Sequence, residues 1–334
     1  MKYNIHPKIS VIIPAYNAEK FITRAIDSIL AQQCDHGLEI LVIDDNSTDN
    51  TSDIVYDLSN RHRQISLLNN KRKKGPSGAR NTGLLESKGS YISFLDADDV
   101  WYPNHLDEGI RFLEKNENID AVFYNFDIYE HEDMKKLNDW FSLRSFTKNL
   151  KIKILDDEYY LILDNLHDAL LDESFIHLQS MIIKSRVINN ILFNENISTS
   201  EDRDFAIQLH VTSKAQFAYK NIITGVYYRH KDSLTSESMQ YQEFRLHNRI
   251  HLFKEYLQSE SKNSKRALKI KKKLFDSHLS LSYLQRKLNK HRDASISLRK
   301  SLSYGTGKSQ LRELAKIAVS FLLYTIQQTK SSVK

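Results

Sequence analysis

The chain has 334 residues, 40% of them hydrophobic and 27% charged, with 9 Gly and 4 Pro, a composition that excludes collagen-like and disordered polymers and supplies enough apolar side chains for a buried core. The net charge of +6 is unevenly placed: Ser261 to Lys334 holds 18 Lys and Arg against 3 Asp and Glu, whereas the first 260 residues hold 30 against 39. The single cysteine, Cys34, excludes an intramolecular disulfide and a cysteine zinc site and points to a reducing cytoplasm, and neither the N-terminal MKYNIHPKIS nor the apolar run Ile317 to Tyr324 is long enough for a signal peptide or a membrane span.

In chain order, Lys8 to Ile13 is a β-branched run closed by Pro14, which cannot donate to a sheet ladder. Asn17 suits the cap of a following helix in which Phe21, Ile22, Ala25, Ile26, Ile29 and Leu30 recur at helical spacing. A second strand over Ile40 to Ile43 runs into Asp44-Asp45-Asn46-Ser47-Thr48-Asp49, rich in turn and cap formers, and a helix follows over Thr51 to Leu58. Next come a strand at Ile65 to Leu68, a basic loop, a short helix near Ala79 to Ser87, and a strand from Tyr91 to Leu95 that ends in Asp96-Ala97-Asp98-Asp99. Alternating strands and helices predict a parallel sheet covered on both faces, with ligands beyond the carboxyl ends of the strands. Three of those ends carry Pro14 to Asn17, Asp44-Asp45 and Asp96-x-Asp98, so the polar chemistry converges on one edge.

No GxGxxG follows the first strand and no GxxxxGK[ST] occurs, which argues against a dinucleotide-binding oxidoreductase and a P-loop enzyme. Two aspartates at i and i+2 on a strand end offer oxygen ligands to Mg²⁺ or Mn²⁺, with substrate phosphates and water completing the shell, although a pair of helix-capping aspartates gives the same spelling. Arg80 in GPSGARNTG suits a diphosphate through charge-assisted bonds, and Tyr16 could stack on a base. LDADDV also satisfies the DxDx[TV] pattern of phosphohydrolases, in which the first aspartate attacks phosphate; that motif belongs on an opening strand, whereas here other strands come first. A basic nucleic-acid-binding protein is the other alternative, disfavoured because aromatics are not interleaved with the Lys and Arg of the tail. No nucleic-acid partner is expected.

SVIIPAYNAEKFITRAIDSILAQ, EILVIDDNSTDNT, GPSGARNTG and YISFLDADDVW, in this order, resemble the family 2 glycosyltransferases with the GT-A fold. The resemblance resumes at Phe193-Asn194-Glu195, at Ser200 to Phe205 and at Val226 to Thr235, and is poor from about Glu130 to Asp172. It implies an α/β architecture, a mostly parallel sheet flanked by helices with a helical C-terminal appendage. It also implies a catalytic domain over 1–238, with a donor half over about 1–128 and an acceptor half over 129–238, followed by a basic helical region over 239–334. Carried over by residue, it implies that Pro14, Tyr16 and Asp45 hold the nucleoside of a nucleoside-diphosphate sugar. Arg80 then lies near the base or diphosphate, Asp96 near the ribose and metal, and Asp98 is the Mn²⁺ or Mg²⁺ ligand, with Asp99 a weaker candidate and His230 a late metal or phosphate ligand. The family's asparagine two positions before Gly75 is replaced by Lys73. Asp202 is expected to be the catalytic base of an inverting transfer, with Glu201 and Asp204 as rivals. An acidic helix start that complements the helix dipole gives the same SEDRD spelling. The acceptor implied by family habit is a glycan or lipid-linked glycan of a bacterial surface polysaccharide, handled in the cytoplasm at the inner face of the membrane.

In the basic quarter, Ala267 to Tyr304 shows two helical patterns broken near Asn289 to Asp293, the first lined by Leu274, His278, Leu281, Leu284 and Leu288, the second by Ala294, Ile296, Leu298 and Leu302. The pair resembles one tetratricopeptide-like hairpin, which needs a partner face on the catalytic domain or a second copy of the chain. A last amphipathic helix from Leu311 to Ile326 suits either core packing, dimerisation or an anionic membrane surface.

Overall fold

A computed structural model describes residues 8–33, 37–230 and 238–305, together with 315, 318 and 319. Cys34, the segment 231–237 and all but three residues of the expected Leu311 to Ile326 helix lie outside the described residues. The chain divides into two units, Met1–Ser233 and Leu234–Lys334.

In the first unit, β1 (Ile9–Ala15), α1 (Ile22–Leu30), β2 (Leu38–Asp44), α2 (Thr51–Arg61), β3 (Ile65–Asn69), α3 (Pro76–Glu86) and β4 (Tyr91–Phe94) form the alternating half. Then follow β5 (Val100–Trp101), α4 (His105–Lys115), β6 (Ala121–Glu130), β7 (Lys136–Asp139), β8 (Lys151–Ile154), β9 (Tyr160–Asp164), α5 (Leu166–Asp172), β10 (Met181–Lys184), α6 (Glu201–Thr212) and β11 (Phe217–Arg229). The strands make one sheet in the order β3-β2-β1-β4-β10-β6-β11-β9-β8, with β5 on β11 and β7 on β6. Strands β3, β2, β1 and β4 are parallel, as expected, but β10 runs antiparallel between β4 and β6, and the β8–β9 hairpin is antiparallel. The sheet is therefore parallel where strand and helix alternate and mixed beyond it.

Strand β1 outlasts the proline that was expected to close it: Pro14 stands in register with Ile43 and the strand runs to Ala15. The reason is alternation. Ile12 accepts from Leu95 on the β4 side, and Ala15 accepts from Asp45 on the β2 side, so the N–H that Pro14 lacks would face the space beyond Phe94, where β4 has ended. Ile9, Val11, Ile12 and Ile13 are fully buried, as a strand covered on both faces requires. Ile22, Ala25, Ile26 and Ile29 of α1 are buried in the same core cluster as Ile9, Val11 and Ile13, each large side chain contributing roughly 1.5–3 kcal/mol relative to exposure.

Asn17 does not cap α1. It takes φ of 49°, its N–H donates to Ser47 Oγ at 3.0 Å, and its Oδ1 accepts from Thr48 N at 2.8 Å, so it ties the loop after β1 to the loop after β2. Asp49 finishes the knot, accepting from Glu19 N at 3.1 Å and Thr51 N at 3.0 Å. The sequence signal for a cap is local, and here the amide is used across two strand ends.

In the second unit, α7 (Met239–Ser259), α8 (Lys265–Lys287) and α9 (His291–Leu302) follow one another. The side chains of Ser238 and Ser264 cap the first two, accepting from Tyr241 N and Ala267 N. Leu274, His278, Leu281 and Leu284 of α8 are buried as expected. The inward face of α9 differs: Ala294, Ser297 and Ser301 are buried, while Ile296 and Leu302 are 37% and 43% exposed. The α8–α9 seam is made of small polar side chains, with Ser282 Oγ donating to Ala294 O at 2.8 Å and Ser297 Oγ to Gln285 Oε1 at 2.9 Å. Helix α7 anchors the pair through buried Glu243, which accepts from Lys290 Nζ at 2.6 Å and Gln285 Nε2 at 3.2 Å.

Candidate functional site

The carboxyl ends of β1, β2 and β4 and the start of α6 meet at one edge of the first unit. Asp45, just past β2, is 5% exposed. Its Oδ1 accepts from Asn70 Nδ2 at 2.6 Å and its Oδ2 from Gly75 N at 2.7 Å. Gly75 sits at φ 126°, a conformation that glycine adopts without steric cost, and a Cβ at Gly78 would overlap the Lys73 carbonyl. These two glycines let the loop fold tightly onto Asp45. The side-chain amide facing Asp45 belongs to Asn70, which also donates to Lys73 O at 3.2 Å, so the substitution at position 73 leaves an amide in place from further upstream. Tyr16 is 49% exposed and carries Lys74 Nζ over its ring at 4.2 Å. Pro14 and Tyr16 thus border the Asp45 loop.

Arg80, in α3, is 5% exposed and bridges two carboxylates: Nη2 donates to Asp96 Oδ1 at 2.7 Å and Nη1 to Glu201 Oε1 at 2.9 Å. Burial opposes its charge, but Asp96 and Glu201 hold the protonated form more firmly than water does. Its neighbour Asn81 donates to Phe193 O at 3.0 Å and Glu195 Oε1 at 2.8 Å, and accepts from Phe193 N at 2.7 Å. Arg72 pairs with the same Glu195. The Phe-Asn-Glu stretch therefore clamps α3, and through Arg80 the clamp fixes the first turn of α6.

Asp96 is held from its other side by Gln179, whose Nε2 donates to Asp96 Oδ2 at 3.0 Å and also to Asp99, and whose Oε1 accepts from Asp96 N at 3.1 Å. Both Asp96 oxygens are engaged by cationic or amide donors, which ties the first aspartate of the DxDx[TV] spelling to Arg80 and Gln179. Asp99 is fully buried and accepts from Tyr228 N at 2.7 Å; burial and the charges of Asp98 and Asp96 push its carboxyl well up, so it is a structural member of the cluster.

Asp98 is half-buried. Burial of its carboxyl and the charge of Asp96 raise it to about 7, a penalty a bound cation would offset. His230, at the end of β11, places Nε2 3.4 Å from Asp98 Oδ2, and that buried nitrogen has no hydrogen-bond partner. Burial and the neighbouring His131, whose ring centroid is 4.2 Å away, disfavour the charged form of His230, which suits a neutral imidazole ligand. Among the described residues no cluster of three or more His, Cys, Asp or Glu forms a ready cage. The pair fits a cation that takes two protein ligands and draws the rest of its shell from substrate oxygens and water. Arg24, which the sequence did not single out, orients this corner: its Nη2 donates to Asp98 O at 2.8 Å and its guanidinium lies 4.1 Å over Tyr228.

Asp202, in the first turn of α6, accepts from Arg203 N at 2.7 Å. Burial, then the charge of Glu201, raises it to about 6, the range in which a carboxylate can act as a base near neutral pH. Of the rivals, Glu201 is committed to Arg80, and Asp204 is 3% exposed and accepts from Gln208 Nε2 at 2.7 Å. The structure therefore gathers Asp96, Arg80 and the Glu201–Asp202 turn into one bonded chain, sets Asp98 beside His230, and keeps Asp45 with Tyr16 at the loop side. Sequence reasoning missed Gln179, Arg24 and Asn70, which carry no motif.

Residues 10–171 match the family model "Glycosyl transferase family 2". A relative from Escherichia coli, the UDP-Glc:alpha-D-GlcNAc-diphosphoundecaprenol beta-1,3-glucosyltransferase WfgD, is 41% identical over 126 residues, 38% of this chain and 48% of the relative. The chain spans about half the length of the curated relatives it matches. Among solved structures, TarS 1-349 of S. aureus in complex with UDP-GlcNAc matches with a TM-score of 0.53 at 17% identity, covering 89% of this chain and 91% of that one. The mannosyltransferase PcManGT from Pyrobaculum calidifontis in complex with GDP-Man and Mn2+ gives 0.54 at 18%, covering 98% and 85%. The alternating half with its acidic strand ends thus has the GT-A fold, and residues 10–171 of the chain are similar to glycosyl transferase family 2.

Proposed function

We propose that the chain is an inverting, metal-dependent glycosyltransferase that moves a sugar from a nucleoside diphosphate, UDP above all, to a hydroxyl of a lipid-linked or glycan acceptor in surface polysaccharide synthesis. The observation that carries this reading is the Arg80 bridge, which joins the donor-side aspartate Asp96 to the helix turn bearing Asp202.

The nucleoside lies against Pro14, Tyr16 and the Asp45 loop, and Asp96 meets the ribose side of the donor. Asp98 and His230 are the residues that would hold a Mn²⁺ or Mg²⁺ ion, which would supply positive charge opposite the leaving diphosphate. Asp202 takes the proton of the acceptor hydroxyl as that oxygen attacks the anomeric carbon from the opposite side, and this single displacement inverts the centre. Burial, with the charge of Glu201 beside it, keeps Asp202 mostly protonated below about pH 6 and available as a base above it. The E. coli relative, named for a diphosphoundecaprenol-linked acceptor, supports the lipid-linked class, as does the basic C-terminal region, for which we propose peripheral contact with anionic lipid. No helix among the described residues is long and apolar enough to cross a membrane.

The test is release of UDP from UDP-sugars with and without Mn²⁺, together with a thermal-shift screen of nucleotides. Metal-dependent UDP release and stabilisation by UDP are expected; cleavage of a simple phosphate ester with no response to UDP would sink the reading.

A further inference from the structure

Helix α8 holds eight Lys and Arg against one acid, Asp276, and places its side chains unevenly around the axis. One arc meets the neighbouring helices: Gln285 Nε2 donates to Glu243 of α7 at 3.2 Å and Ser282 Oγ to Ala294 O of α9 at 2.8 Å, and Ile270, Leu274 and Leu281 are buried. The remaining arc is a stripe. At about 100° per residue, Leu268, Lys272, Lys265, Tyr283 and Lys287 fall within about 100° of one another, and all five are exposed. Leu268 is 59% exposed and Tyr283 49%, and the two stand about 22 Å apart along the axis. Lys287 Nζ lies 4.9 Å and the Arg286 guanidinium 5.7 Å from the centre of the Tyr283 ring, so cations gather at that end as well.

The chemistry of the stripe limits what can cover it. A second copy of the same face would set lysine against lysine. An apolar groove in a protein would take the ammonium groups out of water, and two large side chains so far apart make no continuous apolar patch. A nucleic acid would meet the lysines and offer nothing to Leu268. An anionic bilayer meets every member: the ammonium heads reach lipid phosphates while their stems lie along the apolar boundary, a tyrosine ring suits the headgroup level, and a leucine enters beside it. Because α7 and α9 already hold the helix, the stripe is formed before it meets lipid, and little conformational freedom is lost on contact.

We propose that α8 lies lengthwise on an anionic bilayer, with Lys265, Lys272 and Lys287 on lipid phosphates and Leu268 and Tyr283 set into the headgroup layer. This rests on the reading of the basic C-terminal region as a peripheral lipid contact, and it assigns that contact to one face of one helix.

The experiment is flotation of the full chain at low salt with vesicles of phosphatidylcholine alone and of phosphatidylcholine mixed with phosphatidylglycerol. The wild-type chain is expected to float with the anionic vesicles only. Each lysine near such a surface strengthens binding about fivefold, so Lys265→Gln, Lys272→Gln and Lys287→Gln together should weaken it roughly 100-fold, and Leu268→Gln alone several-fold. The control removes the same charge from α9, by Arg292→Gln, Arg299→Gln and Lys300→Gln at three exposed positions, and should weaken flotation by less than about fivefold. All the substituted side chains are exposed, and an unchanged thermal midpoint is the check that each variant folds. Equal losses in the two triple variants would reduce the effect to overall charge and overturn the proposal. So would full flotation of the α8 triple variant, which would leave the lipid contact standing on other residues. Normal flotation of the Leu268→Gln chain, with a duplex-DNA mobility shift that the lysine substitutions abolish, would mark a nucleic-acid face instead. A wild-type chain that floats with neither vesicle type would remove the lipid reading and this face with it.

Discussion

Asp202 and Arg80 do different things with the same electrostatics. Asp202 is raised to about 6, so as a base it is ionised, and active, above that value; kcat/KM is expected to fall about tenfold per pH unit below 6. Asp202→Asn should lower kcat by roughly 10²–10⁴, flatten that limb and leave UDP binding unchanged; a variant that keeps wild-type turnover removes the assignment. Arg80→Gln strips the counter-charge from Asp96 and Glu201 together, and losing one partner of a buried ion pair costs about 3–5 kcal/mol, the lower end being expected here because the Asp96 side chain is 32% exposed. Urea unfolding with an unchanged midpoint would contradict it. At this scale the motif residues were legible, because acidic and glycine-rich strand ends spell their chemistry locally. Gln179, Arg24 and Asn70 were not, since an amide or guanidinium that acts across 25 to 83 residues of sequence leaves no spacing to read.

Elements followed the same logic. The β-branched runs and the α1 stripe announced themselves because both faces of a central strand and one face of its cover must be apolar. The antiparallel β10 was hidden: four residues, Met181–Lys184, give too short a run to show direction. Helix α9 misled because Ile296 and Leu302 look like core, while the tight approach to α8 is made by Ala294, Ser297 and Ser301. Ala294→Leu should therefore cost about 1–3 kcal/mol by overpacking, whereas Ile296→Gln should stay within about 0.5 kcal/mol; thermal denaturation of the two variants distinguishes them, and the opposite ranking would refute this seam.

Across the whole molecule, charge and topology set the remaining expectations. With 18 basic against 3 acidic residues beyond Ser261, the chain should float with vesicles rich in phosphatidylglycerol at low salt and be released near 0.5 M KCl, where the screening length falls to about 4 Å; removing 306–334 should weaken flotation, and equal binding would discard that segment as the contact. The position of β10 carries a further consequence. It pairs with β4 through Ile182 and Ser93 and with β6 through Ile182 and Val122, so the strand that knits the sheet's middle is synthesised after both of the strands it joins. A nascent chain that has cleared the ribosome only as far as β9 still lacks the strands that join β4 to β6 and β6 to β9, and the sheet closes late, through long-range pairing.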